Sequence, residues 1–174
     1  YTVFNAAQTE GCDLPTPAPL RTVEPLDAAE AIITGWQDAP RWLTVDGDSA
    51  HYRPSTDTIT LPPRGRFVSP VAYYATAYHE AIHATGHKSR LARDLAGYGQ
   101  QYAQEELVAE VGAAFLLAEV GLDGTEVLDN SAAYVQGWAS RLGSDPKRLL
   151  DAASAAQKAV DHILGVRWGE EAAE

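Results

Sequence analysis

The sequence predicts an α+β fold in which a small antiparallel sheet packs on one chemistry-bearing helix, with further helices beside it. Three observations lead there. Short β-prone segments separated by turn residues cluster between positions 42 and 61. From residue 70 onward the pattern changes to long helical segments bounded by cap residues and glycines. The first of these contains His79-Glu80-Ala81-Ile82-His83, whose two histidines recur at the spacing of one helical turn.

The 174 residues fit one domain with a real core, and the expectation is a single domain over 1–174. Hydrophobic residues at 45% and charged residues at 21% exclude a disordered chain. No apolar run approaches the length of a membrane span, and the first residues have neither a basic n-region nor an apolar h-region. The chain starts at Tyr1 and contains no Met, which reads as a piece of something longer. Cys12 is the only cysteine, so no internal disulfide forms, in agreement with a reducing, cytoplasmic setting. The net charge of −11 argues against nucleic-acid binding by this piece, because a phosphate backbone needs clustered Lys and Arg. Solubility accounts for that acidity more simply than imitation of DNA does.

Residues 1–24 read as a strand, Thr2-Val3-Phe4, followed by a Pro-rich extended arm. Residues 25–36 form a first helix with Ala28, Ile32 and Trp36 on one stripe. Three strands follow at 42–45, 50–53 and 58–61, joined by turns at Asp46-Gly47-Asp48 and Pro54-Ser55-Thr56-Asp57. Ser69-Pro70 supplies an N-cap and a first helical residue for a helix over 70–85, which stops at Gly86 in a left-handed conformation. A loop over 87–99 leads to a long, deeply buried helix over 101–120, closed by Gly121. A helix at 131–142 and another from Asp145-Pro146 to about Gly165 complete the chain, and residues 165–174 form a frayed acidic tail.

The HEAIH segment carries the chemistry. Two imidazoles one turn apart can hold a tetrahedral metal ion, and Glu80 can take a proton from a water on that ion. A third protein ligand is needed. The pattern HExxHxxGxxH finds its Gly at Gly86, but its last position holds Ser89, so that class is rejected. The alternative is a glutamate from a later helix, and the segment EELVAE offers Glu105, Glu106 and Glu110. Glu106 is favoured as the ligand. Glu110, one turn on, can then accept from the free ring nitrogen of a ligand His, while Glu105 points about 100° away. His87 and Tyr102, with Tyr98, are secondary candidates for stabilising a developing oxyanion. Tyr73, Tyr74 and Tyr78 read as core or pocket wall, His51 and His162 as structural or surface, and Arg90 and Arg93, beside Asp94, as loop-pinning ion pairs.

The segments HEAIHATGHKSRLARDL and YAQEELVAEVGAAFL resemble the zincin-like metallopeptidase domain of ArdC-type antirestriction proteins, carried by conjugative plasmids and phages. YTVFNAAQTEG, AHYRPSTDTITLPP and DAASAAQKAVDHIL are similar to the same family, so the resemblance runs from about Tyr1 to Leu164. It implies a zincin-like fold, His79 and His83 as ligands, Glu80 as general base and an EELVAE glutamate as third ligand. It also implies a single-stranded-DNA-binding domain ahead of this one in the full-length protein. The expectation is therefore a zinc peptidase of the HExxH-plus-Glu class acting on a peptide or protein. Mn²⁺ and Fe²⁺ are alternatives to Zn²⁺ in such a site. A second reading is an antirestriction module that engages a host protein and uses its metal structurally.

Overall fold

The computed structural model describes residues 20–95, 99–122 and 146–166. The expected strand at Thr2–Phe4, most of the N-terminal arm, the helix at 131–142 and the tail from 167 lie outside the described residues.

Helix α1 spans Asp27–Gly35. Strands β1 (Arg41–Thr44), β2 (His51–Arg53) and β3 (Thr58–Leu61) follow. A 3₁₀ turn at Arg64–Arg66 precedes α2 (Pro70–Thr85), and α3 covers Gln100–Glu119. Helix α4 covers Pro146–Leu164. These positions agree with the sequence reading to within about two residues, and the α+β class stands.

The sheet departs from expectation. Its order is β1-β3-β2; β2 pairs antiparallel with β3, but β1 pairs parallel, with Trp42 opposite Ile59. The tight turn at Pro54–Asp57 folds β3 directly back on β2. The longer link after Thr44 carries the chain past the position β3 later takes, so the sheet is mixed. As the central strand, β3 buries Thr58, Ile59 and Leu61 rather than alternating. β2 is left as an edge among the described residues.

Ser69 caps α2 as its sequence suggests, accepting from the Ala72 amide at 3.2 Å, with Pro70 in the first turn. Gly86 ends the helix, but not in the expected left-handed conformation: its φ is −73°. A Cβ there would lie 2.6 Å from Leu95 Cδ2, so the glycine makes room for the returning loop.

The core lies between α2, α3 and α4, with the sheet packed on α2. Tyr74, Tyr78, Ile59, Ile82 and Leu116 are fully buried, each apolar side chain contributing about 1.5–3 kcal/mol. Tyr78 donates to Ala29 O and Tyr74 to Glu30, so both hydroxyls are satisfied while their rings fill the interior. Gly112 on α3 faces Ile82 on α2, and an added Cβ would sit 2.7 Å from Ile82 Cδ1. The two helices approach closely because that position carries no side chain.

Candidate metal centre

Helix α2 turns His79 and His83 to the same side, one turn apart, and their Nε2 atoms face each other at 3.1 Å. Helix α3, held against α2 at Gly112, brings three glutamates to the same place. Glu106 Oε1 lies 3.4 Å from His83 Nε2, and Oε2 lies 3.7 Å from His79 Nε2. The three ligand atoms of His79, His83 and Glu106 all fall within 4.8 Å of one another. A tetrahedral ion with ligands at about 2.0–2.1 Å has edges of about 3.3 Å, so these donors fit one divalent cation. Two imidazoles and one carboxylate are also the donor chemistry that Zn²⁺ and its first-row neighbours accept.

The other ring nitrogens are held as well. His79 Nδ1 is 3.4 Å from Glu110 Oε1, and His83 Nδ1 is 3.2 Å from Glu105 Oε1. Each histidine can thus donate from Nδ1 to a carboxylate, which leaves Nε2 free as the ligand. Glu105 is itself held by Arg93 through Nε at 3.0 Å and Nη2 at 2.8 Å.

Charge follows this geometry. Burial by itself would lower the pKa of His83, but the hydrogen bonds and negative charge of Glu105 and Glu106 outweigh it, and the pKa is pushed up to about 9. Burial would raise Glu105, yet His83 and Arg93 hold it below the usual carboxylate range. Glu106 is likewise lowered against its burial by the two histidines, with a further hydrogen bond from Tyr102.

The cluster opens into a cavity of about 310 Å³. Glu80 lines it beside the histidines and, among the described residues, has no hydrogen-bond partner. Ala50, His51 and Tyr52 bring the β2 edge to the opposite wall, and Tyr102 and Leu95 close the sides. Beyond Pro54 and Leu95 a second cavity of about 710 Å³ is lined by His87, Lys88 and Arg93 among others.

The structure therefore brings together His79, Glu80, His83, Glu106 and Tyr102, with Glu105 and Glu110 behind the histidines. His87 is not in this group: it faces the second cavity, its Nδ1 2.7 Å from Ser89 Oγ. Tyr98 lies outside the described residues. Sequence reasoning missed one residue. His51 was expected to be structural or surface, but it lines the cavity, and only the pairing of β2 could have put it there. Arg93 pins its loop by an ion pair, as expected, and its partner is Glu105, twelve residues on. Arg90 does pin the loop, through Asp57 and the carbonyls of Ala84 and Asp38. His162 is structural as expected, 3.1 Å from both Asp38 oxygens.

Comparison with known proteins agrees with this architecture. Residues 27–155 match the MPTase-PolyVal family, described as zincin-like metallopeptidases. DNA primase TraC of Escherichia coli is 42% identical over 165 residues, covering 94% of this chain and 11% of TraC. The y4eC protein of Sinorhizobium fredii (strain NBRC 101917 / NGR234) is 38% identical over 167 residues, covering 92% of this chain and 52% of that protein. Among solved structures, the Mn(II)-bound crystal structure of antirestriction protein ArdC from plasmid R388 matches with a TM-score of 0.68 and 39% identity. It covers 98% of this chain and 63% of ArdC. The metal-free ArdC structure matches with a TM-score of 0.67. The chain thus spans between about a tenth and two thirds of the length of these relatives.

Proposed function

The chain belongs to the zincin-like metallopeptidase family, and from that premise we propose that it is a zinc-dependent peptidase domain that hydrolyses peptide bonds. The observation that carries the reading is the grouping of His79, His83 and Glu106 around one point, with Glu80 facing the same cavity. A bound divalent cation supplies Lewis acidity there, lowering the pKa of a coordinated water and polarising a carbonyl oxygen. Zn²⁺ suits the His₂Glu donors, and Mn²⁺ and Fe²⁺ compete for the same set; the ArdC relative was solved with Mn(II).

The chain's own residues do the rest. Glu80 receives the proton of the attacking water and delivers it to the nitrogen of the leaving amine. Glu105 and Glu110 keep the histidines oriented. The edge of β2, which forms the cavity wall, pairs with no further strand among the described residues and so offers its backbone groups to an extended peptide, and the substrate docks as an added strand. Tyr102 holds Glu106 from one turn before it.

In its full-length context we assign this domain, residues 1–174, to an antirestriction protein of mobile elements acting in the cytoplasm. DNA contact then falls to an N-terminal single-stranded-DNA-binding domain and not to this acidic one. None of the described helices is long and apolar enough to cross a membrane.

Glu80→Gln tests the peptidase reading. The variant keeps its metal, because Glu80 is not a ligand, and loses hydrolysis of an unfolded protein substrate by at least about a hundredfold. A variant that hydrolyses at the wild-type rate refutes it. A second reading, an antirestriction module with a structural metal, draws on the name of the ArdC relative. Under that reading Glu80→Gln leaves antirestriction in cells intact.

A further inference from the structure

Arg93 stands ten residues beyond His83, on the loop between α2 and α3, and its guanidinium is turned inward onto both helices. Nε and Nη2 donate to the two oxygens of Glu105 at 3.0 and 2.8 Å. Nη2 also donates to Ile82 O, and Nη1 to Thr85 Oγ1, both at 2.7 Å. Glu105 Oε1, gripped in this way, lies 3.2 Å from His83 Nδ1. Both partners of the pair are largely enclosed, with side chains 14% and 10% exposed.

We propose that Arg93 is a positioning residue of the metal centre: by clamping Glu105 at both oxygens against α2, it fixes the His83 ring with Nε2 turned toward the ion. The inference deepens the metal reading and rests on His83 being a ligand. An ion pair that merely braced a loop could take many forms, whereas this one has a specific geometry. The arginine is anchored to residues 82 and 85, which flank His83 on the same helix, so the clamp is referenced to the turn that carries the ligand. A glutamate side chain has several free torsions, and engagement of both oxygens by a planar fork removes them together. A lysine, a point charge on a flexible stem, cannot do so. The arrangement is also one-sided. Glu110, the carboxylate behind His79, has no arginine among the described residues and is 31% exposed. The ligand that receives the stiffer support is the one more deeply enclosed, His83 at 15% against His79 at 19%.

The test measures Zn²⁺ affinity of the whole chain by competition with a chromophoric chelator, together with the visible absorption of the Co²⁺-loaded protein. Melting temperature in excess chelator reports folding separately. The variants are Arg93→Ala, Arg93→Lys, Glu105→Gln and the Arg93→Ala/Glu105→Gln double, with Arg66→Ala, which breaks the surface ion pair to Asp46, as a control. The expected result is a ten- to hundredfold weaker Zn²⁺ affinity for Arg93→Ala, with a smaller loss for Arg93→Lys. The double variant should bind no more weakly than the weaker single, because both changes break one chain of contacts. The Co²⁺ bands should shift in Arg93→Ala and stay put in Arg66→Ala. The proposal is overturned if folded Arg93→Ala binds Zn²⁺ as wild type does with an unchanged Co²⁺ spectrum, or if the two single effects simply add. Should Arg93→Ala not fold, Arg93→Lys and Glu105→Gln decide the same question. A wild-type chain that binds neither metal overturns the metal reading itself, and the inference with it.

Discussion

Gly112→Ala is the sharpest probe of how the metal centre is assembled, because it lies outside the centre and acts only through helix spacing. The added Cβ would lie 2.7, 2.8 and 3.1 Å from three carbons of Ile82. The nearest contact is about 1 Å shorter than ordinary carbon–carbon packing. Ile82 is fully buried, so its side chain has nowhere to turn and the helices must part. Overpacking of this kind costs about 1–3 kcal/mol, against which alanine returns about 1 kcal/mol of helix propensity. The metal-free protein should therefore lose no more than about 2 kcal/mol, a drop of about 4–8 °C in melting temperature for a chain of this size. Metal binding should suffer more. The Glu106–His83 separation of 3.4 Å spans α2 and α3, and parting the helices by about 1 Å takes it beyond a tetrahedral edge while stretching the Glu110–His79 contact, also 3.4 Å, past hydrogen-bond reach. We expect Zn²⁺ affinity to fall at least tenfold, measured by chelator competition beside thermal melting in excess chelator. Ile82→Ala, which removes all three clashing carbons, should restore affinity when combined with Gly112→Ala. The reasoning is refuted if Gly112→Ala binds Zn²⁺ as tightly as wild type, or if it melts higher than wild type.

Metal uptake should release protons at neutral pH, because the metal-free His83, with its pKa pushed up to about 9, must lose a proton to become a ligand. Affinity should accordingly rise with pH and level off near pH 9, as read by titration calorimetry in buffers of different ionisation enthalpy. In excess chelator the same raised pKa works the other way: the stability it gives is full below the unfolded histidine value near 6.5 and is lost as pH rises through about 9. Asp57 has the opposite sign. Burial would raise its pKa, but the hydrogen bonds from Arg90 and Tyr52 outweigh this and lower it, so its stabilisation is present at neutral pH and disappears as acid protonates it. Urea unfolding between pH 7 and pH 3 should show that loss, and Asp57→Asn should flatten it. Arg90→Ala should cost about 2–3 kcal/mol at pH 7, tempered from the value for a fully buried pair because Asp57 is a third exposed.

Much of the site was legible because its parts are local or periodic. Ser69-Pro70 and Gly86 bracket α2, and the fourfold spacing of His79 and His83 already places both on one face. The ExxxE spacing of Glu106 and Glu110 does the same for α3, which is why the structure finds these residues grouped. What the sequence withholds is whatever depends on one element meeting another. Strand alternation does not encode whether β1 runs with or against β3, and the mixed sheet is settled by the path of the link after Thr44. His51 sits in the cavity because β2, an edge strand among the described residues, is the one that packs beside the histidine helix. Arg93 and Glu105 are twelve residues apart on a loop and a helix, and no periodicity joins them. Gly86 was recognised as a helix stop, but its reason is the Leu95 side chain packed over it, a contact invisible until the loop is folded.

Arg90 has a consequence for what can enter the cleft. One guanidinium, 2% exposed, hydrogen-bonds Ala84 O at the end of the histidine helix and Asp57 in the hairpin that carries β2. Floor and rim of the cavity are therefore bolted together, and the slot between them has a set width. If the proposed peptidase function holds, such a slot, of about 310 Å³, takes a single extended chain rather than a folded surface. On the proposed peptidase reading, the first thing selected in a target is slack. A protein would be cut where, and when, it lets a strand come loose, with its side-chain sequence consulted afterwards.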